Sequence, residues 1–505
     1  VLVGDINQEI IKLNIVTSGA QNPISVSSIT FNTNGTTSSL DVTRASAYYT
    51  TTDNFSTAIP FGSPVSNPSG SFSVTGNQVL SNGNNFFWLA YDISGSATAG
   101  NFVDAECSQF ITSETGEALR IPDITSPAGS REIKTPMSGT YSIKNSGGDF
   151  SSLYAAVSQL NAVGLSGSVI FNIQDGETFD EPGLSNITVS GTIEKTITIR
   201  QSGEGAKPVL IFTGTTGNSD AAIKLSSASY VAIEGLDIRN GEGNIVEYGI
   251  YMLGTSTTGC RYNLVRDCSI ALSLNSTYTK AIYLFSSASS NAAANSYNKF
   301  YNNIISSSYY GYYLTGSGIY PDSSNEVGTI DGGISTLRNC ERAGIGLSYQ
   351  VNFNVFNNDI SFSSTLGYYT GIEIQNGSNT GNIYGNTIHH MNHSAGISGN
   401  SGYGMYLTSG ANIHVYKNLI HSCTINDGSF TGIFAGRITT LHLFKNQIYE
   451  ITNQSSNQKD ISGITLDFGE MTAYIYNNFI WGLSAPSSSG FSVRGLKLMG
   501  SSTPS

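Results

Sequence analysis

Two short motifs recur in phase from about residue 220 to the C-terminus, and this periodicity restricts the fold more than any other property of the chain. The first is Gly/Ala-apolar-x-apolar. It appears as AIKL at Ala222, GIYM at Gly249, AIYL at Ala281, GYYL at Gly311, GIGL at Gly344, GIEI at Gly371, GMYL at Gly404, GIFA at Gly432, GITL at Gly463 and GLKL at Gly495. The second, apolar-x-x-Asn-x-Ile, appears as FYNNII ending at Ile305, VFNNDI at Ile360, IYGNTI at Ile388, VYKNLI at Ile420, LFKNQI at Ile448 and IYNNFI at Ile480. A repeat of roughly 30 residues lies in the range of solenoids, whose units bury their apolar faces only against neighbouring units.

Three short strands per turn with Asn at a sharp bend describe a right-handed parallel β-helix. Asn tolerates the left-handed backbone region that such a bend needs, and identical amides in successive turns can bond along the axis. Asn303, Asn358, Asn386, Asn418, Asn446 and Asn478 therefore read as a structural ladder. Ahead of the repeats, DFSSLYAAVSQLN (Asp149 to Asn161) is the clearest helical pattern in the chain. Asp149 is placed to cap it, Phe150, Leu153, Val157 and Leu160 share a face, and its expected role is to plug the open end of the solenoid.

The N-terminal part reads differently. IIKLNIVT, SVSSITFN, ASAYYTT, GSFSVTG and NNFFWLAYDI are β-branched or aromatic runs bounded by turn residues, the pattern of an antiparallel sandwich. The expected organisation is an Ig-like β-sandwich over 1–130 with Trp88 anchoring its core, a linker at 131–136, and the β-helix with its cap helix over 137–505. The fold class is all-β with one capping helix. Only 11% of residues are charged, and 56 glycines accompany abundant Ser, Thr, Asn and Tyr, which suits short strands and polar turns.

With a net charge of −12 and no Lys/Arg cluster, a phosphate-tracking nucleic-acid groove is not expected. No apolar run of about 18 residues is present, so no membrane span is expected. Cys107, Cys260, Cys268, Cys340 and Cys423 show no zinc-type spacing and read as isolated buried thiols, with one disulfide left open. The abrupt start at Val1 and end at Ser505 suggest a mature or internal piece of a larger protein.

The stretches SITFNTNGTT and NGNNFFWLAYDISGSATAGNFVDAE resemble a β-sandwich module of large secreted and surface proteins of Bacteroidetes-type bacteria. The resemblance implies export by the type IX route and neighbours such as sialidase-like or β-helix domains. From about residue 137, DFSSLYAAVSQLN…SGSVIFNIQDGETFDE is similar to the opening of pectin-lyase-like β-helices. That superfamily includes polysaccharide lyases, hydrolases, esterases and non-enzymatic adhesins, so the fold does not decide the function.

Strand alternation assigns the third residue of each tetrapeptide to the outer face: Lys224, Tyr251, Tyr283, Tyr313, Gly346, Glu373, Tyr406, Phe434, Thr465 and Lys497. In related enzymes this face floors the substrate groove. Such rings could stack on the C–H faces of sugars, or could simply cover one another along the stack. A second stripe follows from Ile388 and Ile420 sharing a repeat position: His389, His421, Tyr449 and Trp481, preceded by Ser361 and Ser306. His390 and His393 then fall in a loop, and no metal site is expected.

Neither the Gly-His-Gly of polygalacturonases nor the pectin-methylesterase pattern occurs. Glu373 is the one acid in the first stripe and hence the single catalytic candidate, while Asp467 with Glu470, and Arg266 with Asp267, read as solvated or locally paired charges. No cofactor is expected, and calcium is left open for the acidic loop of Asp92, Asp104 and Glu106. The functional expectation is non-enzymatic binding or adhesion to a polysaccharide or cell-surface glycan by a secreted or cell-surface protein. The alternatives are a polysaccharide lyase or glycoside hydrolase working on this face, and a passive module that contacts other segments of a larger chain or the secretion machinery.

Overall fold

The computed structural model describes residues 1–505 apart from 20–21, 115–116, 275, 365–367, 394–400, 427, 455–459, 470, 486–492 and 501–505. It divides into two compact units, Val1–Pro136 and Met137–Ser505.

The first unit is a sandwich of two four-stranded sheets. One is ordered Gln8–Thr17, Gly83–Ile93, Val42–Thr50, Pro60–Ser66, and the other Ser71–Val79, Ser25–Asn32, Glu106–Thr112, Ala118–Arg120. All these pairings are antiparallel. Alternation along Gly83–Ile93 sends Phe87, Leu89 and Tyr91 into the main core with Ile29, Phe31 and Val74. Trp88 belongs to the opposite face. It sits in a smaller cluster with Tyr48, Phe86 and Ala90, and its indole N–H donates to Thr50 Oγ1 at 2.8 Å. The expected core anchor is thus a satellite, because in a strand of period 2 neighbours of Phe87 must face the other way. Nor do residues 131–136 run as a free linker: Arg131–Glu132 pairs with Phe102–Val103, and Ile133 is fully buried in the main core.

The second unit is a parallel β-solenoid of about 11 turns. One strand of each turn joins a 12-stranded sheet, and the other two merge into a single 22-stranded sheet. They merge outright in Ile304–Thr315, which pairs with both Ser269–Ala271 and Lys280–Ser286 of the preceding turn. The one α-helix among the described residues, Leu153–Val163, buries Leu153, Ala156, Val157, Leu160 and Val163. Ser152 caps it by accepting from the Ala155 N–H at 3.1 Å. Asp149, the expected cap, instead accepts from the Ser142 N–H and hydroxyl, each at 2.7 Å, and Phe150 is in a bridge with Ile143.

The asparagine ladder is present. From Asn358 through Asn386, Asn418 and Asn446 to Asn478, each residue donates its backbone N–H and its amide N–H to the Oδ1 of the next at 2.9–3.1 Å. Between Asn303 and Asn358 one turn carries Ser335 in place of Asn, its hydroxyl donating to Asn358 Oδ1 at 2.7 Å. The left-handed residue, however, is the one before each rung: Asn302, Asn357, Gly385, Lys417, Lys445 and Asn477 all have positive φ. The ladder asparagines are kept for their amides, and the bend falls on a neighbour that only has to tolerate φ near +55°.

The two repeat motifs meet in the interior. A Cβ on Gly404 would lie 2.6 Å from the Gly432 carbonyl oxygen and 2.9 Å from Ile420 Cδ1, and one on Gly432 would meet the Gly463 oxygen at 2.6 Å and Ile448 Cγ2 at 2.9 Å. Glycine in the tetrapeptide thus lets the next turn and the isoleucine of the second motif close on it, which explains why the motifs keep phase. A second buried ladder runs along another corner: Asn263, Asn298, Asn325 and Gln350, with amide contacts of 2.9–3.2 Å.

Beside Gln350 lies Asp322, fully buried, accepting from the Asn295 N–H at 2.8 Å and from Gln350 Nε2 at 3.3 Å. Burial pushes its carboxyl up to about 7 from 3.8. A carboxyl raised in the folded state binds its proton more tightly there than in the unfolded chain. Its stabilising contribution is complete below about pH 4 and is lost as pH rises through about 7. Asp322→Asn should therefore flatten the fall in thermal stability between pH 5 and 8, by about 2 kcal/mol relative to the parent. Parallel pH profiles for the two proteins would contradict this.

All five cysteines are buried and unpaired. No helix among the described residues is long and apolar enough to cross a membrane.

Candidate functional site

The expected outer column exists in unbroken register: Lys224, Tyr251, Tyr283, Tyr313, Gly346, Glu373, Tyr406, Phe434, Thr465 and Lys497 are successive partners. Tyr251 and Tyr283 stack at 4.8 Å and 6°, Tyr283 and Tyr313 at 5.8 Å and 24°, and Tyr406 and Phe434 at 5.1 Å and 24°. Rings stacked this way occupy one another's faces, so inside a stack only edges are offered to a sugar. The column by itself is thus partly the self-covering structure that the sequence left open.

A second column, not foreseen, changes the surface. Tyr248, Tyr310 and Tyr403 lean on Tyr251, Tyr313 and Tyr406 at 59°, 37° and 48°, with centroids 4.6–4.9 Å apart. Lys280 is in register between Tyr248 and Tyr310. Its Nζ lies 5.0, 4.9 and 5.8 Å from the ring centroids of Tyr248, Tyr283 and Tyr313. Burial lowers its ammonium to about 8 despite the opposing pull of Glu247. Glu247 itself is buried, accepts from the Asp220 N–H at 3.0 Å, and is pushed up by that burial. It lines a polar depression of about 550 Å³ with Asn218, Asn244, Ser276 and Tyr278.

Midway along the face sits an ion pair. Arg342 donates to Glu373 Oε1 at 3.0 Å, with its guanidinium 4.1 Å from the Tyr368 ring centroid and 5.8 Å from that of Tyr310. Glu373 also accepts from Gln375 and, at 3.4 Å, from the Tyr368 hydroxyl. Only 3% of it is exposed, so the one acid of the stripe is a strut under the face rather than a group presented to solvent. The sequence pointed Glu373 outward correctly, but Arg342, from the preceding turn, covers it.

The second stripe is also assembled. His389, His421, Tyr449 and Trp481 stack at 5.3, 5.1 and 4.3 Å with interplanar angles of 7–9°. Continuing backward, His389 follows Ser361, and Arg338 stands between Ser361 and Ser306, in the turn whose Leu337 hides it from the Asn-x-Ile pattern. His389 Nε2 meets Asp359 Oδ1 at 2.6 Å and its Nδ1 meets His390 Nδ1. Burial lowers His421, as do the neighbouring His389 and His390. His393, expected in a loop, belongs to a short strand, Asn392–His393, that pairs with Ser363–Ser364, and its side chain lies outside the described residues. Among the described residues no group of three or more His, Cys, Asp or Glu is arranged to hold a metal ion.

A third aromatic ladder went unrecognised: Phe356, Tyr384, Tyr416, Phe444 and Tyr476 stack at 5.0–5.3 Å on the 12-stranded sheet, with His414, His442 and Tyr474 beside them. The signal was available, because these aromatics stand two residues before each ladder asparagine. Asp92, Glu106 and Asp104 each have separate partners. Asp92 pairs with Arg44 at 2.6 Å, Glu106 accepts from Asn34 Nδ2 at 2.8 Å, and Asp104 accepts from the Ala105 N–H at 2.8 Å. Arg266 pairs with Glu234 at 3.3 Å and approaches Asp267 at 3.8 Å, while Glu470 lies outside the described residues.

Fold and face together define an N-terminal β-sandwich joined to a parallel β-solenoid with aromatic and charged columns on its outer surface. Residues 1–115 match the family model of the N-terminal domain of BNR-repeat neuraminidase. No curated protein matches the chain. Among solved structures, the chain is similar to the GH136 lacto-N-biosidase from Eubacterium ramulus, at 13% identity and a TM-score of 0.44, over 71% of this chain and 68% of that one. A rhamnogalacturonan lyase matches at 10% identity and a TM-score of 0.34, over 72% and 88%. The catalytic domain of a GH87 α-1,3-glucanase matches at 12% identity and a TM-score of 0.30, over 96% and 91%. Likeness at this level carries no argument about activity.

Proposed function

We propose that the protein is a secreted or cell-surface glycan-binding β-solenoid, which holds a polysaccharide along the two-column face from Tyr248 to Phe434 without cleaving it. The observation that carries this reading is the combination on one continuous face of tilted tyrosines with Lys280. The partly exposed tilted rings of Tyr310 and Tyr403 offer flat apolar area to sugar C–H groups, and the Lys280 ammonium offers hydrogen bonds to hydroxyls. Glu373, fixed by three donors, supports binding over bond cleavage.

A second reading, cleavage of the glycan, is favoured by one place only. Glu247, pushed up by burial, lies beside Asp220 and Lys280 at the start of the face, which is the environment of a proton donor. A polysaccharide panel screened in parallel for retention and for chain shortening separates the two readings. Retention without new reducing or unsaturated ends is the expected result. Replacing Tyr283 and Tyr313 together by alanine should weaken retention at least 10-fold while the far-ultraviolet spectrum stays β-rich. Shortened chains would replace binding by catalysis, and unchanged retention in the double variant would move the site elsewhere.

A further inference from the structure

The outer ring column is interrupted where Phe434 is followed in register by Thr465 and then by Lys497. One face of Phe434 is taken by Tyr406 at 5.1 Å. On the other side no ring follows, so among the described residues this is a place where an aromatic face of the column is left unstacked. A depression of about 210 Å³ opens at that step, and its walls include Tyr403, Thr431, Phe434, Asp460, Thr465 and Lys497. Thr465 is only 4% exposed, yet its hydroxyl has no hydrogen-bond partner among the described residues. A buried hydroxyl left unpaired costs free energy that a ligand hydroxyl can recover. Asp460 accepts from Lys497 Nζ at 3.2 Å and from Arg494 Nη1 at 2.6 Å, which fixes its carboxylate at the rim.

We infer that this step is a subsite for a single uncharged pyranose residue, and the inference rests on the glycan-binding reading above. The free Phe434 face takes the apolar C–H side of the sugar. The Thr465 hydroxyl and the Asp460 carboxylate take its hydroxyl groups; Asp460, held by both Arg494 and Lys497, is an acceptor suited to hydroxyl donors, which a uronate carboxylate is not. The volume is below the roughly 300–1,000 Å³ of pockets that enclose larger ligands, so one residue of a chain, or its end, is what fits. The Tyr406–Phe434 pair thus links the subsite to the rest of the face.

The test uses ligand-observed nuclear magnetic resonance on the full chain with the methyl glycosides of glucose, galactose, mannose and N-acetylglucosamine. Saturable binding of at least one is expected, weakened at least 10-fold in Phe434→Ala and in Thr465→Tyr, and about 3-fold in Thr465→Val. Thr465→Tyr guards against misfolding, because a ring there continues the stack and fills the subsite without opening a cavity, and its melting temperature should stay within a few degrees of the parent. Binding unchanged in Thr465→Tyr, or no saturable binding of any glycoside, overturns the subsite. Polysaccharide retention by the parent protein, measured alongside, distinguishes the failures: retention with no glycoside effect removes the subsite alone, and no retention removes the glycan-binding reading with it.

Discussion

Asn418→Ala is expected to cost the solenoid about 4 kcal/mol, a loss read directly as lowered thermal stability. The side chain is 1% exposed. It donates to the Ile383 carbonyl at 2.9 Å and to Asn446 Oδ1 at 3.0 Å, and its oxygen receives both the backbone and the amide N–H of Asn386 at 3.0 Å. Truncation orphans at least two donors and one carbonyl in a site that water does not reach, at roughly 1–3 kcal/mol each. Because solenoid stability is close to a sum of nearest-neighbour terms, hydrogen exchange should quicken first in the turns around 383–386 and 446. Asn382, half-buried on the outer side of the 12-stranded sheet and donating to Asn354 at 3.0 Å, is the control, and its alanine variant should lose less than about 1 kcal/mol.

Glu373→Ala is expected to destabilise by a similar amount, about 3–4 kcal/mol, because it leaves Arg342 charged and largely enclosed between Tyr310 and Tyr368. Burial pushes the carboxyl up while Arg342 pulls it back, so the pair stands or falls together. Replacing both, as Glu373→Leu with Arg342→Met, should recover most of the loss, since an apolar pair of similar volume carries no desolvation cost. A double-mutant cycle measures the coupling. Near-zero coupling would show Glu373 free to serve another purpose, and the case for it as a reactive carboxylate would then reopen.

Much of the fold was legible because its two motifs are forced by one contact, the glycine that admits both the next turn's carbonyl and the isoleucine of the second motif. A turn with other letters disappears from such a reading. Leu337 and Ser335 fill the positions of Ile and Asn, so Arg338 was lost from the histidine column. The Asn263 ladder was hidden because its rungs are 35, 27 and 25 residues apart, the spacing being set by loops of unequal length. At the site, sequence register found which residues share a column but not how rings are tilted, and tilt decides whether a tyrosine shows a sugar its face or its edge. It also could not reveal that Arg342 lies over Glu373, since that contact depends on a side chain reaching across from the preceding turn.

The central claim is that the Tyr248 to Phe434 face, and not the other aromatic columns, holds the glycan. Hydroxyl-radical footprinting of the full chain, with and without the polysaccharide it retains best, tests this directly. Protection of Tyr310, Tyr403 and Phe434, with Tyr416 and Tyr476 on the 12-stranded sheet unchanged, is the predicted result. Protection confined to Tyr416 and Tyr476, or to the His421 to Trp481 column, would contradict it.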